Sequence, residues 1–541
     1  MRIEGQTTGP PEAQNDDTSP TVMAATEQEP APVVNGTQAE SSDQQRKRGR
    51  GDSKKVRREN YNKRQKNEDR MRVRQPVGEC NEDEEGEAKE RRPKRKVACM
   101  IGYCGTGYHG MQINPPQNTI EGDIFNAFVQ AGAISKDNSN DPKKSAFMRA
   151  ARTDKGVHAA GNVISLKLIV EDADIVEKIN TFLPAQIRLW GYSRTTKGFE
   201  CRKHCDSRIY EYLIPTYSFL PPKPGSALAK RIQEMADELP GVTREDPEGA
   251  KFWADVGKQV KDAGIEEDDI RAAYAEALEE QALNKKMPQD DGSLKKFLNL
   301  SDEQYNQLKQ IRAIENAARR AFRISAERLD LVRQALRRYE GPHNFHNFTI
   351  GKDFNDPSSR RYMKYLVASD AKIIEGSEWI SIKIHGQSFM LHQIRKMIGM
   401  VAQVVRCGAP LDRINEAFHR RKINIPKAPA LGLLLERPVY ANFNERLKSF
   451  GRDAVSFDAY NDQMEEFKMK YIYDKIYAEE AKENIFYGFF GFIDNFKGDL
   501  HLFDYLTAKG IAEDDTASFT DSTLKEMDEE DMEELEGDNE G

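Results

Sequence analysis

Large apolar side chains are spread unevenly along the 541 residues, and where they begin and end limits what can fold. Residues 1–95 are poor in them and rich in Gln, Glu, Asp, Pro, Lys and Arg. Such a stretch cannot bury enough surface to offset the entropy of ordering its chain, so it reads as a disordered tail. Order is expected from Lys96, where Val97, Cys99, Ile101 and Tyr103 alternate with Ala98, Met100 and Gly102 as in a strand. Asn118 and Glu121 are spaced as a capping box, and Ile120, Ile124, Ala127, Phe128 and Ala131 mark one face of the helix it would open. Strand patterns follow at 145–151 and 162–170, then a helix over Ile175–Phe182, then strands at 187–193 and 207–215. That order suggests an α+β fold with helices on one face of an antiparallel sheet.

Residues 220–324 differ. Pro221, Pro222, Pro224 and Gly225 break the chain, and charged helical stretches follow, which suggests a helical insertion between two halves of one catalytic domain, 96–219 and 325–440. The second half reads as a helix at 325–339, strands at 362–367 and 379–384, and a long helix at 388–405. Residues 441–512 form a helical extension whose Met464, Phe467, Tyr471 and Ile472 are expected to pack on the catalytic domain.

The formal charge of −8 would argue against a nucleic-acid partner if it were evenly spread. Residues 513–541 hold fourteen Asp and Glu against one Lys, a net of −13, so residues 1–512 carry +5. The acidity belongs to a second disordered tail. The N-terminal tail carries basic clusters at 46–50, 54–58 and 91–96, read as nuclear-import signals, nucleic-acid contacts or a solvated tail. Six cysteines and no signal-peptide pattern point to a reducing compartment, and no apolar run approaches a membrane span. Glu4, Asp16 and Asp17 argue against a mitochondrial presequence, so a nuclear protein is expected.

The chemistry concentrates in Arg149-Ala-Ala-Arg152-Thr153-Asp154-Lys155-Gly156-Val157-His158. Here a carboxylate, a guanidinium and a hydroxyl fall within three positions between two strand patterns. Thr-Asp-Lys-Gly is also good turn chemistry with Gly last, so a plain turn is the competing reading. On the strand 207–215, Arg208, Tyr210 and Tyr212 share a face suited to stacking a base, or simply to a half-buried strand. Arg395 falls on the apolar stripe of the helix 388–405, beside Leu391 and Ile398. A guanidinium there needs a carboxylate, for which Asp154 is the natural partner, or it must snorkel outward. Cys201-x-x-His204-Cys205, with Cys104 or His109 as a fourth ligand, leaves a structural zinc ion as an alternative, although the second half of a ligand pair is missing.

Arg152-Thr153-Asp154-Lys155-Gly156-Val157-His158-Ala159 resembles the active-site motif of the TruA family of tRNA pseudouridine synthases, in its eukaryotic branch. Further resemblances lie in Arg208-x-Tyr210-x-Tyr212, in the stretch from Gly386 to Gly399, and in Ala428-Pro429-Ala430-Leu431-Gly432-Leu433-Leu434-Leu435. Tyr103-x-Gly105-Thr106-x-Tyr108-x-Gly110-x-Gln112 and Gly341-Pro342-His343-Asn344-Phe345 complete the set, so the likeness covers about 96–215 and 325–440. It implies two ferredoxin- or RRM-like halves sharing a central antiparallel sheet flanked by helices. It implies an isomerase that converts uridine to pseudouridine without cofactor, with Asp154 as catalytic carboxylate, Tyr210 in the active site and Arg395 paired with Asp154. Arg152, Lys155, Arg208, Tyr212 and Lys396 become candidate RNA contacts. The implied substrates are tRNA near the anticodon stem-loop, intron-containing precursors, and small nuclear and messenger RNA. A monomer is expected, the insertion and extension covering the surface through which bacterial relatives dimerise. Two other classes compete: a non-catalytic RNA-binding protein with RRM-like sheets, and an RNA hydrolase using Asp154 with His158.

Overall fold

The computed structural model describes residues 92–239, 246–266, 301–496, 498 and 500–510. The basic clusters at 46–50 and 54–58, the middle of the insertion and the acidic 513–541 segment lie outside the described residues. Of the third basic cluster, Arg92 pairs with Asp172 and Arg95 with Glu171 at the surface.

The strands are β1 (Arg95–Tyr103), β2 (Met148–Arg149), β3 (His158–Leu168), β4 (Ile187–Arg194), β5 (Ser207–Pro215), β6 (Gly341–Asn344), β7 (Arg360–Ala368), β8 (Lys372–Ile374), β9 (Ser377–Gly386) and β10 (Leu433–Val439). They form one sheet in the order β4-β1-β3-β10-β5-β9-β7-β6, with β2 on β3 and β8 on β9. The sheet is mixed, not antiparallel as the sequence suggested: β10 runs parallel to β3, with Leu434 opposite His158 and Leu435 opposite Ala159. A parallel neighbour needs a long connection. Here the chain returns more than 200 residues later, after β9, and slots between β3 and β5.

Alternation along β1 sorts its side chains by face. Val97, Cys99, Ile101 and Tyr103 bury against α1 (Ile120–Gln130) and α2 (Ile175–Phe182), through Ile124, Phe128, Ile175 and Ile179. The N-cap of α1 is Thr119, whose hydroxyl accepts from Gly122 N, rather than Asn118. Glu121 is consequently released from the expected capping box and is engaged elsewhere. Ala98 and Met100 point to the other face, which is also covered, contrary to the one-sided arrangement expected. The cover comes from residues after β10. Phe467 meets Trp190 edge-on at 5.3 Å, and Ser193 Oγ donates to Ala454 O. β3 is therefore buried on both faces along nearly its whole length, Lys167 excepted.

The segment 220–324, expected to be an insertion, contributes α3 (Ala227–Asp237), α4 (Pro247–Asp262) and α5 (Asp302–Ala321). After it come α6 (Ala326–Arg337), α7 (Gln393–Arg406) and α8 (Asp412–Glu416), and the extension adds α9 (Ala441–Ser449), α10 (Asn461–Phe467), α11 (Asp474–Glu483) and α12 (Ile485–Asp494). Met397, Ile398, Val401 and Val404 of α7 pack in one core with Val332 and Leu336 of α6 and Ile382 and Ile384 of β9. α7 begins at Gln393, five residues later than the apolar pattern suggested. His392 takes a left-handed conformation (φ 57°), and Met390 N donates to the Gln393 side chain, so residues 388–392 peel away as a loop.

Between α10 and α11 a π-helical turn, Lys468–Tyr473, places Lys468 under the sheet with its side chain 2% exposed. Its ammonium lies 3.2 Å from Glu211 of β5, 3.0 Å from Glu436 of β10 and 3.0 Å from Glu465. Tyr473 and Ser381 also donate to Glu211. Burial alone would raise the Glu211 carboxyl, but Lys468 and these donors outweigh it and hold it below the usual range. The cluster ties two central strands to the extension.

Candidate active site

The loop between β2 and β3 is held rigidly from below. Tyr103 and Thr153 share a hydroxyl–hydroxyl bond of 2.9 Å, and Asn162 Nδ2 donates to Tyr103 Oη and to Ala151 O. Met111 N donates to Thr153 O and Gly156 N to Tyr108 O, so the glycine-rich segment 105–110 clamps the loop from the side. The approach requires glycine: a Cβ on Gly105 would lie 2.3 Å from Val157 O, and one on Gly110 (φ 89°) would lie 2.9 Å from Thr153 O. Val157 N donates to Asp154 O, and Gly156 has φ 76°. Asp154-Lys155-Gly156-Val157 is thus a turn with glycine third, one residue later than expected, and its first side chain is the carboxylate. The turn reading and the functional reading describe the same four residues.

Asp154 is half-buried and opens onto a cleft of about 830 Å³. Arg152, Arg208, Tyr210, Phe389 and Arg395 line the same cleft. The structure therefore brings together the three residues expected to be catalytic, from a loop, a strand and a helix. Tyr210 is half-buried, with its ring edge-on to Phe389 at 5.1 Å. Burial pushes its phenol up to about 12; Arg208 opposes the rise, and the Asp154 charge adds to it. Asp154 and Tyr210 thus face the same cleft, one from the loop and the other from β5.

Arg395 stands in the first turn of α7 and is half-buried, where the sequence put it on the core stripe. Its Nε donates to Ala428 O at 2.7 Å while Ala428 N donates to its own carbonyl, which fixes the side chain at the cleft rim. Leu391, its expected stripe neighbour, belongs to the 388–392 loop and lines the cleft. Arg208 donates to Ala150 O and so braces the start of the Asp154 loop. Arg152 is exposed at the cleft, while exposed Lys155 and buried Lys396 line a neighbouring cleft.

Tyr212 departs from expectation as an RNA contact. It is fully buried, donates to Pro429 O at 2.6 Å and meets Phe486 edge-on. The strand period puts it on the face of Tyr210, but the cleft ends between the two. His158 is buried with its imidazole pushed down to about 4 by burial and Lys475, and its Nδ1 accepts from Gly105 N. That lone pair is committed to holding the glycine segment, which counts against the hydrolase reading. Among the described residues no group of three His, Cys, Asp or Glu side chains comes together to hold a metal. Cys201 donates to Met148 O, Cys205 to Ser207 O, and His204 turns to Glu200 and packs on Phe199 and Phe443.

Sequence reasoning missed the Arg149 assembly at the cleft wall. Arg149 forms two bonds to buried Glu121 and donates to Gln112, and Ile113 N also donates to Glu121. Burial raises the Glu121 carboxyl against the pull of Arg149. The signal was present, since Arg149 and Gln112 both sit in quoted motifs, but 28 residues separate the two charges.

Residues 335–441 match the family model described as tRNA pseudouridine synthase. The chain is 52% identical over 513 residues to tRNA pseudouridine synthase 1 of Yarrowia lipolytica, covering 92% of this chain and 94% of that protein. It is 50% identical over 441 residues to tRNA pseudouridine synthase 1 of Saccharomyces cerevisiae, covering 78% of each. A third relative, tRNA pseudouridine(27/28) synthase of Saccharomyces cerevisiae, is 37% identical over 390 residues, 72% of this chain and 96% of that protein. A mixed sheet carrying a carboxylate loop and a tyrosine strand on one cleft, together with these likenesses, defines the class as an isomerase. The chain belongs to the TruA-type family of tRNA pseudouridine synthases. Its high-identity relatives are fungal proteins named tRNA pseudouridine synthase 1.

Proposed function

We propose that the protein isomerises uridine to pseudouridine in tRNA, chiefly in and near the anticodon stem-loop and in intron-containing precursors, with small nuclear and messenger RNA as further substrates. The observation that carries the reading is the convergence of Asp154, Tyr210 and Arg395 on one cleft, with Asp154 on a loop tethered at Thr153, Ala151 and Gly156. Preorganisation of this kind keeps a reacting group within a narrow range of positions.

The reaction breaks the bond from C1′ to N1, turns the base, forms a bond from C1′ to C5, and moves a proton from C5 while N1 gains one. A base stacked in structured RNA must first be extruded, and a cleft of this size receives a nucleotide. Asp154 acts as a carboxylate on the sugar or the base. Arg395 pairs with it and keeps it ionised, since a neighbouring cation favours the charged form. Tyr210 covers the flipped ring. It also helps to remove the C5 proton, which passes to solvent as N1 takes one up, so the exchange leaves no net change in protons. Arg152 fills the vacated stack or holds phosphate; Lys155, Arg208 and Lys396 add cationic charge for the RNA backbone. The reaction is redox-neutral and consumes no co-substrate, so no cofactor is required.

We further read the sheet as two ferredoxin-like halves, the protein as a monomer and its location as the nucleus, the last on the N-terminal basic clusters. Incubation with a tRNA transcript tritiated at C5 of uridine tests the activity. Tritium release supports the isomerase; no change or strand cleavage would transfer the reading to one of the competing classes. A map of pseudouridines lost from cellular RNA when Asp154 is replaced defines the substrates.

A further inference from the structure

Next to the catalytic cleft lies a second one, of about 1020 Å³, and the two share His109 and Arg395. Its lining combines two kinds of side chain. Lys155, Lys396 and Lys427 contribute positive charge, against one carboxylate among the described residues, that of Glu479. Phe489, Phe492 and Phe496 contribute rings from α12 and the residues just after it. Phe489 and Phe492, three residues apart, share a face of α12, and Phe496 follows just beyond its end.

Phe492 is 63% exposed, although α12 itself is firmly docked. Phe486, Phe490 and Ile493 of the same helix are buried, and Asp494 forms a buried ion pair with Arg406. Its ring is therefore presented to the cleft by a fixed element. Phe496 lies edge-on to it at 5.9 Å and to Phe503 at 5.6 Å, which limits how the platform can rearrange. Cations that track a phosphate backbone beside aromatic faces that stack bases are the pairing used for unpaired nucleic-acid strands.

We propose that this second cleft holds an unstacked nucleotide of the same RNA strand, adjacent to the uridine in the catalytic cleft. Its base lies on Phe492 and Phe489, and its phosphate meets Lys427 and Lys155. The inference rests on the isomerase reading and adds a specificity site to it. Flipping one nucleotide exposes its neighbour, and capturing that neighbour offsets part of the unstacking cost. Arg395, at the junction, would then sense both occupants.

The test compares wild type with Phe492→Ala, Phe492→Trp and Phe492→Glu on one tRNA transcript. The readouts are Kd, steady-state pseudouridine formation, and the fluorescence of 2-aminopurine placed in turn at each nucleotide flanking the target. Phe492→Ala is expected to raise Kd and KM about 10-fold, the loss falling on KM rather than kcat. Phe492→Trp should restore binding, Phe492→Glu should weaken it further, and one flanking 2-aminopurine should be quenched in wild type but not in Phe492→Ala. Unchanged Kd and KM in both the Ala and Glu variants, with pseudouridine still formed by wild type, would overturn the proposal. That holds whether the cleft is then filled by residues 513–541 or by a partner protein. A wild-type protein that forms no pseudouridine would instead reject the isomerase reading.

Discussion

Replacing Lys468 by Met removes the ammonium that bridges Glu211, Glu436 and Glu465 beneath the sheet. Glu211 and Glu436 have side chains only 3% and 4% exposed, so water cannot substitute for the ammonium. Breaking a buried ion cluster by deleting one partner costs about 3–5 kcal/mol, roughly a 10²- to 10⁴-fold shift in the folding equilibrium. The sign of its pH dependence follows from Glu211. In wild type its carboxyl is held low, so its contribution is present above the unfolded value and is lost as pH falls through the folded one. Without Lys468 burial dominates, the folded pKa rises above the unfolded one, and the variant regains stability as pH falls from 7 toward 5. Urea unfolding of both proteins at pH 5, 6 and 7 measures this. The gap should be largest at pH 7 and narrow at pH 5, and Glu211→Gln combined with Lys468→Met should recover part of the loss. A gap below about 1 kcal/mol, or one independent of pH, would refute the reasoning.

Further outcomes follow from the site. Tyr103→Phe deletes the hydroxyl shared by Thr153 and Asn162; it should cost about 1–3 kcal/mol of stability and lower kcat more than it raises KM, as read by urea unfolding and tritium release. The imidazole of His158, held near 4, makes wild-type stability fall as pH drops below the unfolded value near 6.5. His158→Gln should flatten that slope by up to about 1.4 kcal/mol per pH unit in a pH series of melts. Arg395→Lys should lose turnover with RNA binding largely retained, because an ammonium lacks the planar fork that orients a carboxylate; full turnover would remove Arg395 from the mechanism.

What the sequence disclosed was local. The helix Ile175–Phe182 and the strand Ser207–Pro215 fall where periodicity put them, because each is specified by alternation or an apolar stripe within a few residues. The parallel pairing of β10 with β3 was not legible, since it joins segments more than 260 residues apart. Residues 388–392 read as helix because they are apolar, yet their apolar surface walls a cleft and leaves α7 to start at Gln393. Tyr210 and Tyr212 were indistinguishable in the pattern, since a strand period assigns a face but not where a cleft on that face ends. Asp154 was singled out for a different reason: an eight-residue motif marks its loop, and the tethers from Tyr103 and Asn162 show how that loop is held.

The most direct test of the mechanism is a single-turnover measurement of tritium release from C5-labelled tRNA by Asp154→Ala, with RNA affinity measured in parallel. The expected result is RNA affinity close to wild type and no release above background. Release at a rate near that of wild type would contradict the assignment of Asp154 as the catalytic carboxylate.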